Sequence, residues 1–471
     1  MKKIIAAALI MSCNFWTLPT VSACTTFLVG RDASADGSAY IGRTEDTVDL
    51  KITKLVDFPA SKKAGTFEYV DSGNGFRLTL PNAHHRCLVA PIDDKDPNYW
   101  WESGINDAGV GFSATETIRV NDAILKHDPL VTSGLCEENI PRLVLPYINS
   151  AKEGVLYLGK LMERYGTTSN EAVIFIDNDD IWYMELLSGH QWAAYRMPQD
   201  TYACIGNDCL LDYYNPADKE NWLGSSNVIQ LAKKAGTYKE VDGKFHLAES
   251  YTPGRRDYSQ LRVWASRRYF NNSKAGAYDV NTRHEFNLKP EKKITLQELF
   301  ALSRDRHQNT SLATDLPGHN TRPIGIDRTT SVHFLRFHKD RTPVMWLSQN
   351  APEFSVYLPI YANASKLPKE MTIASSKYDD KSLAWELRLI SDLAVINRAN
   401  YAQPVRSRFD ALEDKLIKVV ENCKNPTPAE ADKMLQDVNK MALDTTKEVK
   451  TELITKVSQD VVLSTKNLGR D

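Results

Sequence analysis

The sequence lacks an excess of charge of either sign and, beyond its N-terminus, any long apolar run. Among 471 residues, 58 lysines and arginines nearly balance 60 aspartates and glutamates, for a formal net charge of −2. This balance provides neither the basic excess that suggests nucleic-acid binding nor the acidic excess of a disordered chain. No later stretch approaches the roughly 20 apolar residues of a membrane-spanning helix. We therefore expect a globular protein with no nucleic-acid partner and no stable membrane insertion.

Cysteine is scarce and is not arranged as a metal site. The chain has seven cysteines, no CxxC pair and no cysteine–histidine spacing typical of zinc. His84 and His85 are adjacent, so in a strand they would face opposite sides of the sheet. The sequence therefore predicts neither a metal nor a cofactor. Internal repeats and low-complexity linkers are also missing.

The N-terminus has the parts of a secretory signal peptide. Two lysines precede the apolar run 4–11, which is short for a membrane span, and Val21-Ser22-Ala23 places small residues where signal peptidase cleaves. We expect residues 1–23 to be removed and the protein to be exported, either secreted or periplasmic. The mature chain would then begin at Cys24.

A lipid anchor is the alternative interpretation of the same residues. Val21-Ser22-Ala23-Cys24 also resembles a bacterial lipobox, in which the cysteine is acylated. Lipoproteins usually continue with a polar, flexible tether, whereas residues 25–29 have the composition of a strand. A lipid-anchored binding protein is therefore the less favoured alternative.

The order of predicted elements indicates an α+β layered fold. Short β-rich runs fill residues 24–115, a helical pattern follows over 139–166, and a meander of short runs spans 172–205. The run 331–337 predicts a late strand, and the chain becomes strongly helical beyond about residue 375. Strands, helices and strands again are typical of layered α+β domains.

Helix starts and domain limits follow from the same patterns. Capping residues predict helix starts at Ser150, Thr295 and Thr427. We predict a main domain over residues 24–370 and a helical C-terminal region over 371–471. The boundary between them rests on composition alone.

A cysteine at the start of a chain can supply both a nucleophile and a base. A thiol attacks as the thiolate, and its unperturbed pKa of about 8.5 requires a nearby base. The free α-amine of Cys24 would lie beside its own thiol and could take and return the proton. Within the segment 43–46, Asp46 could hold that amine, and the positive charge of Arg43 could favour the thiolate. An Arg-x-x-Asp is often a surface ion pair, but here it follows the predicted cysteine strand.

Several motifs occur together along the first half of the chain. They are Cys24-Thr25-Thr26-Phe27-Leu28-Val29-Gly30, Gly42-Arg43-Thr44-Glu45-Asp46, Glu102-Ser103-Gly104-Ile105-Asn106-Asp107-Ala108-Gly109-Val110, Asn139-Ile140-Pro141-Arg142 and Ile181-Trp182-Tyr183-Met184-Glu185. Jointly they resemble the dipeptidase family of N-terminal nucleophile (Ntn) hydrolases and, more distantly, penicillin V acylases and bile salt hydrolases. The resemblance is good over residues 24–215 and weak beyond 360.

The resemblance implies a four-layer αββα sandwich with a helical C-terminal extension. It also implies hydrolysis of dipeptides, without a metal, through a thioester at Cys24. Arg43 and Asp46 fall on the Arg-x-x-Asp of the family, and Asn207 falls on an asparagine that helps to stabilise the oxyanion. Where bile salt hydrolases have a further asparagine, this chain has Thr115-Glu116-Thr117. Another donor, such as Thr115, must act there, which points away from bile salts.

Recognition of a dipeptide needs a counter-charge at each end of the substrate. Glu116 and Glu138 are the sequence candidates for the substrate amine, and an arginine is expected for its carboxylate. Arg262 and Arg267 are two candidates for a later arginine of the distant relatives. An amide acylase of the penicillin V or bile-acid type is the alternative activity. The preferred dipeptide and a homo-oligomeric state stay open.

Overall fold

The computed structural model describes residues 24–47, 49–92, 100–115, 118–315 and 321–465. The signal peptide predicted over residues 1–23 lies outside these ranges. The strands are β1 Thr25–Val29, β2 Ala39–Glu45, β3 Val56–Phe58, β4 Thr66–Val70, β5 Arg77–Pro81, β6 Cys87–Pro91, β7 Trp101–Asn106, β8 Gly111–Thr115, β9 Ala172–Ile176, β10 Ile181–Leu186, β11 Trp192–Arg196, β12 Tyr202–Ile205, β13 Trp222–Gly224, β14 Glu240–Val241, β15 Lys244–Phe245, β16 Ser331–His338, β17 Arg341–Ser348 and β18 Leu358–Tyr361. The helices are α1 Asp122–Leu125, α2 Ile140–Val144, α3 Ala151–Tyr165, α4 Val228–Ala235, α5 Leu247–Tyr251, α6 Asp257–Phe270, α7 Asn272–Ala275, α8 Leu296–Ser303, α9 Leu383–Ile396, α10 Arg398–Asn422 and α11 Pro428–Thr465.

Two antiparallel sheets form the centre of the fold. Within the described residues, one sheet has six strands in the order β12-β1-β2-β16-β17-β18, and the other has eight in the order β13-β11-β10-β9-β8-β7-β6-β3. The predicted meander supplies β9, β10 and β11 to the second sheet. Its fourth run, β12, crosses instead to the first sheet and pairs with β1. This crossing brings the end of β12 next to the start of β1.

The two sheets face each other across an apolar core. In β9, Ile174 and Ile176 belong to this core, whereas Val173 and Phe175 pack on the outer face of the eight-stranded sheet with residues of α2 and α3. A β-carbon at Gly111 would lie 2.8 Å from the ring of Phe337 on the six-stranded sheet. Glycine at this position therefore allows the sheets to approach closely.

Helices cover the outer face of the six-stranded sheet. Helix α6 packs against β12, and α10 and α11 pack against β18. Phe300 of α8 stacks on Tyr357, with ring centroids 3.9 Å apart. The order of layers is thus helix, sheet, sheet, helix, which confirms the predicted α+β four-layer sandwich with its helical C-terminal extension. The domain boundary near residue 370 stays a prediction.

The helix starts follow the predicted capping residues. Thr295 and Glu298 form a reciprocal capping box at the start of α8. Ser150 caps α3 through the N–H of Glu153, and Thr427 likewise accepts the N–H of Glu430 before α11. Although α11 has 38 residues, no helix in the described part of the chain is both long and apolar enough to cross a bilayer.

Candidate active site

Strand pairing places three polar residues side by side at the start of β1. Cys24 immediately precedes β1, which lies between β2 and β12. Continuing the β1–β2 register by one residue sets Glu45 opposite Cys24. Continuing the β1–β12 register by two residues sets Asn207 on its other side. The predicted hairpin is therefore present, and the crossing of β12 delivers Asn207.

The thiol of Cys24 contacts a cation and a carboxylate. Nη2 of Arg43 donates to Sγ at 3.0 Å, and Sγ donates to Oε2 of Glu45 at 3.4 Å. All three residues are buried. Because alternate residues of a strand share a face, Arg43 and Glu45 both lie on the Cys24 side of β2. The guanidinium favours the thiolate, and the carboxylate can hold the thiol hydrogen.

Three glutamates surround the guanidinium of Arg43. Nη1 lies 3.0 Å from Oε2 of Glu102, and Nη2 forms ion pairs with Glu45 and Glu137. We call Cys24 and these four charged residues the thiol cluster. Burial raises the pKa of Glu102 well above its usual range, and Glu45 adds to this rise, while Arg43 opposes it. Although burial opposes the charge of Arg43, its anionic neighbours hold its pKa well above the usual value.

An irregularity in strand pairing directs Glu102 towards this cluster. Two residues at the end of β6 oppose three of β7, 101–103, so Glu102 is the extra residue of a β-bulge. Its neighbour Trp101 packs into the outer core of the eight-stranded sheet, whereas Glu102 reaches Arg43. Glu137 arrives from the loop before α2. Three separate segments thus converge on one arginine.

Asp46 is connected to the backbone next to Cys24 through the hydroxyl group of Thr44. Its Oδ2 accepts a hydrogen bond from Thr44 at 3.0 Å and from Nη2 of Arg322 at 2.5 Å. Oγ1 of Thr44 in turn accepts the backbone N–H of Thr25 at 3.0 Å. Asp46 therefore braces the peptide unit that joins Cys24 to β1.

Arg262 of α6 links Asn207 to Cys24. Its Nη2 donates to Oδ1 of Asn207 at 2.5 Å, and its Nη1 donates to the backbone oxygen of Cys24 at 2.5 Å. Since Oδ1 is held in this way, the Nδ2 group of Asn207 is the free end of the amide; it has no hydrogen-bond partner among the described residues. Burial lowers the pKa of Arg262 to about 10, and the charge of Arg322 contributes. Arg262 is still cationic at neutral pH.

The segment after Asn207 is held by a buried carboxylate. Oε1 of Glu185 accepts the backbone N–H of Leu210 at 2.8 Å and that of Leu211 at 3.3 Å. Burial raises the pKa of Glu185 to about 7, against these hydrogen bonds, which lower it. Glu185 belongs to one of the motifs that carry the family resemblance, and these contacts explain why an acid lies near the end of β10.

The structure separates the other sequence candidates. Arg267, five residues beyond Arg262, donates to the backbone oxygen of Glu285. Thr115 ends β8, where its backbone pairs with Ala172, and Glu116 lies outside the described residues.

Glu138 lies one position away from the acid in contact with Arg43. Its backbone oxygen accepts the N–H of Trp100, while its neighbour Glu137 forms the ion pair. Sequence reasoning did not single out Glu45, Glu102 or Glu137. A charged residue within an apolar strand, as in Trp101-Glu102, was the available indication.

The thiols and carboxylates of the site are the groups that could form disulfides or bind a metal. In the part of the chain that the structure describes, Cys24 and the five later cysteines form no disulfide bond. Carboxylate oxygens of Glu45, Glu102 and Glu137 lie within 4.8 Å of one another, a spacing that a metal ion could bridge. However, the guanidinium of Arg43 already lies among them.

Comparisons with known proteins agree on one family. The model of peptidase family C69 matches residues 23–411. A probable dipeptidase B of Streptococcus pyogenes serotype M1 is 32% identical over 471 residues, covering 94% of this chain and 91% of its own. A probable dipeptidase of Salmonella dublin is 35% identical over 354 residues, covering 72% and 81%.

Solved structures give more distant similarities. Penicillin V acylase from Agrobacterium tumefaciens is 14% identical, with a TM-score of 0.37, and the match covers 74% of this chain and 90% of the acylase. A variant of conjugated bile acid hydrolase from Clostridium perfringens is 12% identical, with a TM-score of 0.35, and covers 76% and 98%.

Proposed function

Because the chain belongs to peptidase family C69 and is a hydrolase of the peptidase type, we propose that it cleaves dipeptides through a thioester at Cys24. The relatives that cover most of its length are named probable dipeptidases, which supports dipeptides as the substrate class. The observation that carries the mechanism is the contact of 3.0 Å between Nη2 of Arg43 and Sγ of Cys24. Asn207 and Arg262 on the opposite side of Cys24 complete the arrangement.

The proposed reaction requires a free Cys24 α-amine, which removal of residues 1–23 during export would provide. That amine takes the thiol proton, and the thiolate attacks the carbonyl carbon of the peptide bond. The proton then passes to the nitrogen of the leaving amino acid as the C–N bond breaks, leaving a thioester. Water, deprotonated by the same amine, hydrolyses the thioester, releases the first amino acid and restores the thiol.

The surrounding residues divide the remaining tasks. Arg43 stabilises the thiolate by its charge. The Nδ2 group of Asn207 is a buried donor that can bind the oxyanion, and Arg262 fixes its orientation. Asp46, acting through Thr44, holds the backbone beside the nucleophile. Such a preorganised set of donors is what acyl transfer to a thiol needs.

Both alternatives have less support. An apolar acyl group, as in penicillin V or a bile-acid amide, would have to lie beside the buried carboxylates of the thiol cluster, which is unfavourable. A lipid anchor would require Cys24 to reach a membrane, whereas Cys24 is buried and leads directly into the buried strand β1.

The test is to define the mature N-terminus and the thiol together. Intact mass and N-terminal sequencing of the exported protein are expected to show a start at Cys24. Iodoacetamide should alkylate it and stop hydrolysis across a dipeptide panel, with penicillin V as the comparison substrate. A variant that retains one extra residue before Cys24 loses the α-amine base and should be slower by about 10²–10⁴-fold. Full-rate hydrolysis by that variant, or a different mature start, would contradict the proposal.

A further inference from the structure

The thiol cluster holds more negative charge than Arg43 can balance. Glu45, Glu102 and Glu137 all form ion pairs with this arginine and all are buried. Glu45 and Glu102 alone exceed the single guanidinium by one negative charge if both are ionised. Such a charge is very costly in a protein interior. The α-amine of Cys24 does not correct the deficit, because it must be neutral when it acts as the base.

Buried polar atoms near the cluster also lack hydrogen-bond partners among the described residues. They include Oγ1 of Thr26 and Oγ of Ser103. Thr26 is fully buried and lies opposite Arg43 in the β1–β2 register, so it shares the face that bears Cys24. Folded proteins satisfy nearly all buried polar groups. A polar ligand bound beside the nucleophile would satisfy these groups.

We propose that Glu45, Glu102 and Glu137 bind the free α-ammonium group of the dipeptide, a subsite that rests on the dipeptidase activity proposed above. In any amino acid, the α-nitrogen is two bonds, about 2.5 Å, from the carbonyl carbon. The ammonium next to the scissile bond must therefore lie within a few ångströms of the attacking sulfur.

The distances in the cluster meet this requirement. Oε2 of Glu45 is 3.4 Å from Sγ of Cys24. Glu137 binds the same Nη2 of Arg43 that donates to Sγ, and Glu102 binds the other terminal nitrogen. All three carboxylates are thus held around the position where the substrate amine has to be.

The chemistry of the cluster fits an ammonium better than a divalent cation. A primary ammonium carries one positive charge and three N–H donors, so three carboxylates can accept from it. A divalent ion would lie beside the guanidinium of Arg43, and the two positive charges would repel each other strongly. The raised pKa of Glu102 agrees with a cluster that is short of positive charge.

The experiment compares one dipeptide with its N-acetyl derivative, which has the same scissile bond but no ammonium. The wild-type enzyme is expected to prefer the free dipeptide by about 100-fold in kcat/KM, the equivalent of one or two charge-assisted hydrogen bonds. Glu137→Gln should reduce this preference about tenfold, mainly through KM. The kcat/KM for the N-acetyl derivative should change much less than that for the free dipeptide. The matched control is Glu68→Gln, which removes an exposed glutamate paired with Arg77 and should leave both reactions unchanged.

The outcomes separate the subsite from the activity. If Glu137→Gln and Glu102→Gln slow both substrates by the same factor, the glutamates only support Arg43 and the subsite is wrong. If the wild type cleaves neither compound, the dipeptidase proposal fails, and the subsite is tested by calorimetry with a C24A variant that begins at residue 24. Tighter binding of the free dipeptide, abolished by Glu137→Gln, would support it. Equal binding of both compounds would overturn it.

Discussion

The thiol cluster can be compared with a second, less buried group of arginines and carboxylates, the α10 cluster, which consists of Arg304, Arg406, Asp410 and Glu413. Nη2 of Arg304 lies 2.6 Å from Oε1 of Glu413, and Nε of Arg406 lies 2.7 Å from Asp410. Here two cations face two anions. Nη1 of Arg406 also donates to three backbone carbonyl oxygens, those of Pro352, Glu353 and Ser355.

The two clusters contain the same residue types but have different roles. In the α10 cluster the charges balance, and the arginines fasten a loop to α8 and α10 through main-chain contacts. In the thiol cluster three carboxylates share one guanidinium, and neighbouring polar atoms have no hydrogen-bond partner among the described residues. An ion-pair group whose charges balance serves the fold, whereas one with an excess of negative charge is suited to bind a cation.

The largest effect is expected from removing the cation of the thiol cluster. Arg43→Met removes the guanidinium that three buried carboxylates share, which should reduce the free energy of unfolding by about 3–5 kcal/mol. It should also abolish detectable hydrolysis, because the thiolate loses its partner. Urea unfolding and kcat/KM for a dipeptide measure the two losses.

A double variant separates the two roles of Arg43. Adding Glu102→Gln to Arg43→Met removes one of the stranded charges and should recover part of the stability but no activity. Hydrolysis at the wild-type rate in either variant would show that Arg43 does not assist the nucleophile.

The next effect concerns the fold alone. Glu413→Gln leaves Arg304 and Arg406 short of their anion and weakens the acceptor of the Tyr357 N–H, at 3.0 Å in the wild type. We expect a loss of about 3–5 kcal/mol in the free energy of unfolding. Both kcat and KM of the folded enzyme should be unchanged. A tenfold rise in KM without unfolding would mean that the α10 cluster is coupled to the site and that the contrast between the clusters is false.

The sequence predicted those parts of the fold and site that depend on neighbouring residues. Cys24 and Arg43 belong to one hairpin, so their proximity follows from strand pairing and a turn. Each capping residue before α8 and α11 also bonds a group within four positions of itself along the chain. These features need no knowledge of tertiary packing.

The remaining parts depend on contacts between distant segments. Arg262 reaches Cys24 only because α6 packs against β12, and the sequence could not choose between it and Arg267. Glu102 is directed by a β-bulge, which the alternation of apolar and polar residues does not reveal. The crossing of β12 to the other sheet was equally hidden, because a short strand buried on both faces carries little information about its pairing partner.

The smallest effect gives the sharpest contrast between the clusters. Because burial raises the pKa of Glu102 well above its unfolded value, the folded protein binds this proton more tightly than the unfolded chain does. The contribution of Glu102 to stability therefore falls as the pH rises above its unfolded pKa of about 4.3.

Glu102→Gln mimics the protonated acid and does not titrate. Near pH 5 it should differ from the wild type by less than about 1 kcal/mol, and it should become relatively more stable towards pH 8. Glu413→Gln should destabilise at pH 8. If urea unfolding shows that both substitutions destabilise equally at pH 8, Glu102 is an ordinary charged partner of Arg43, and the thiol cluster has no deficit for a substrate amine to fill.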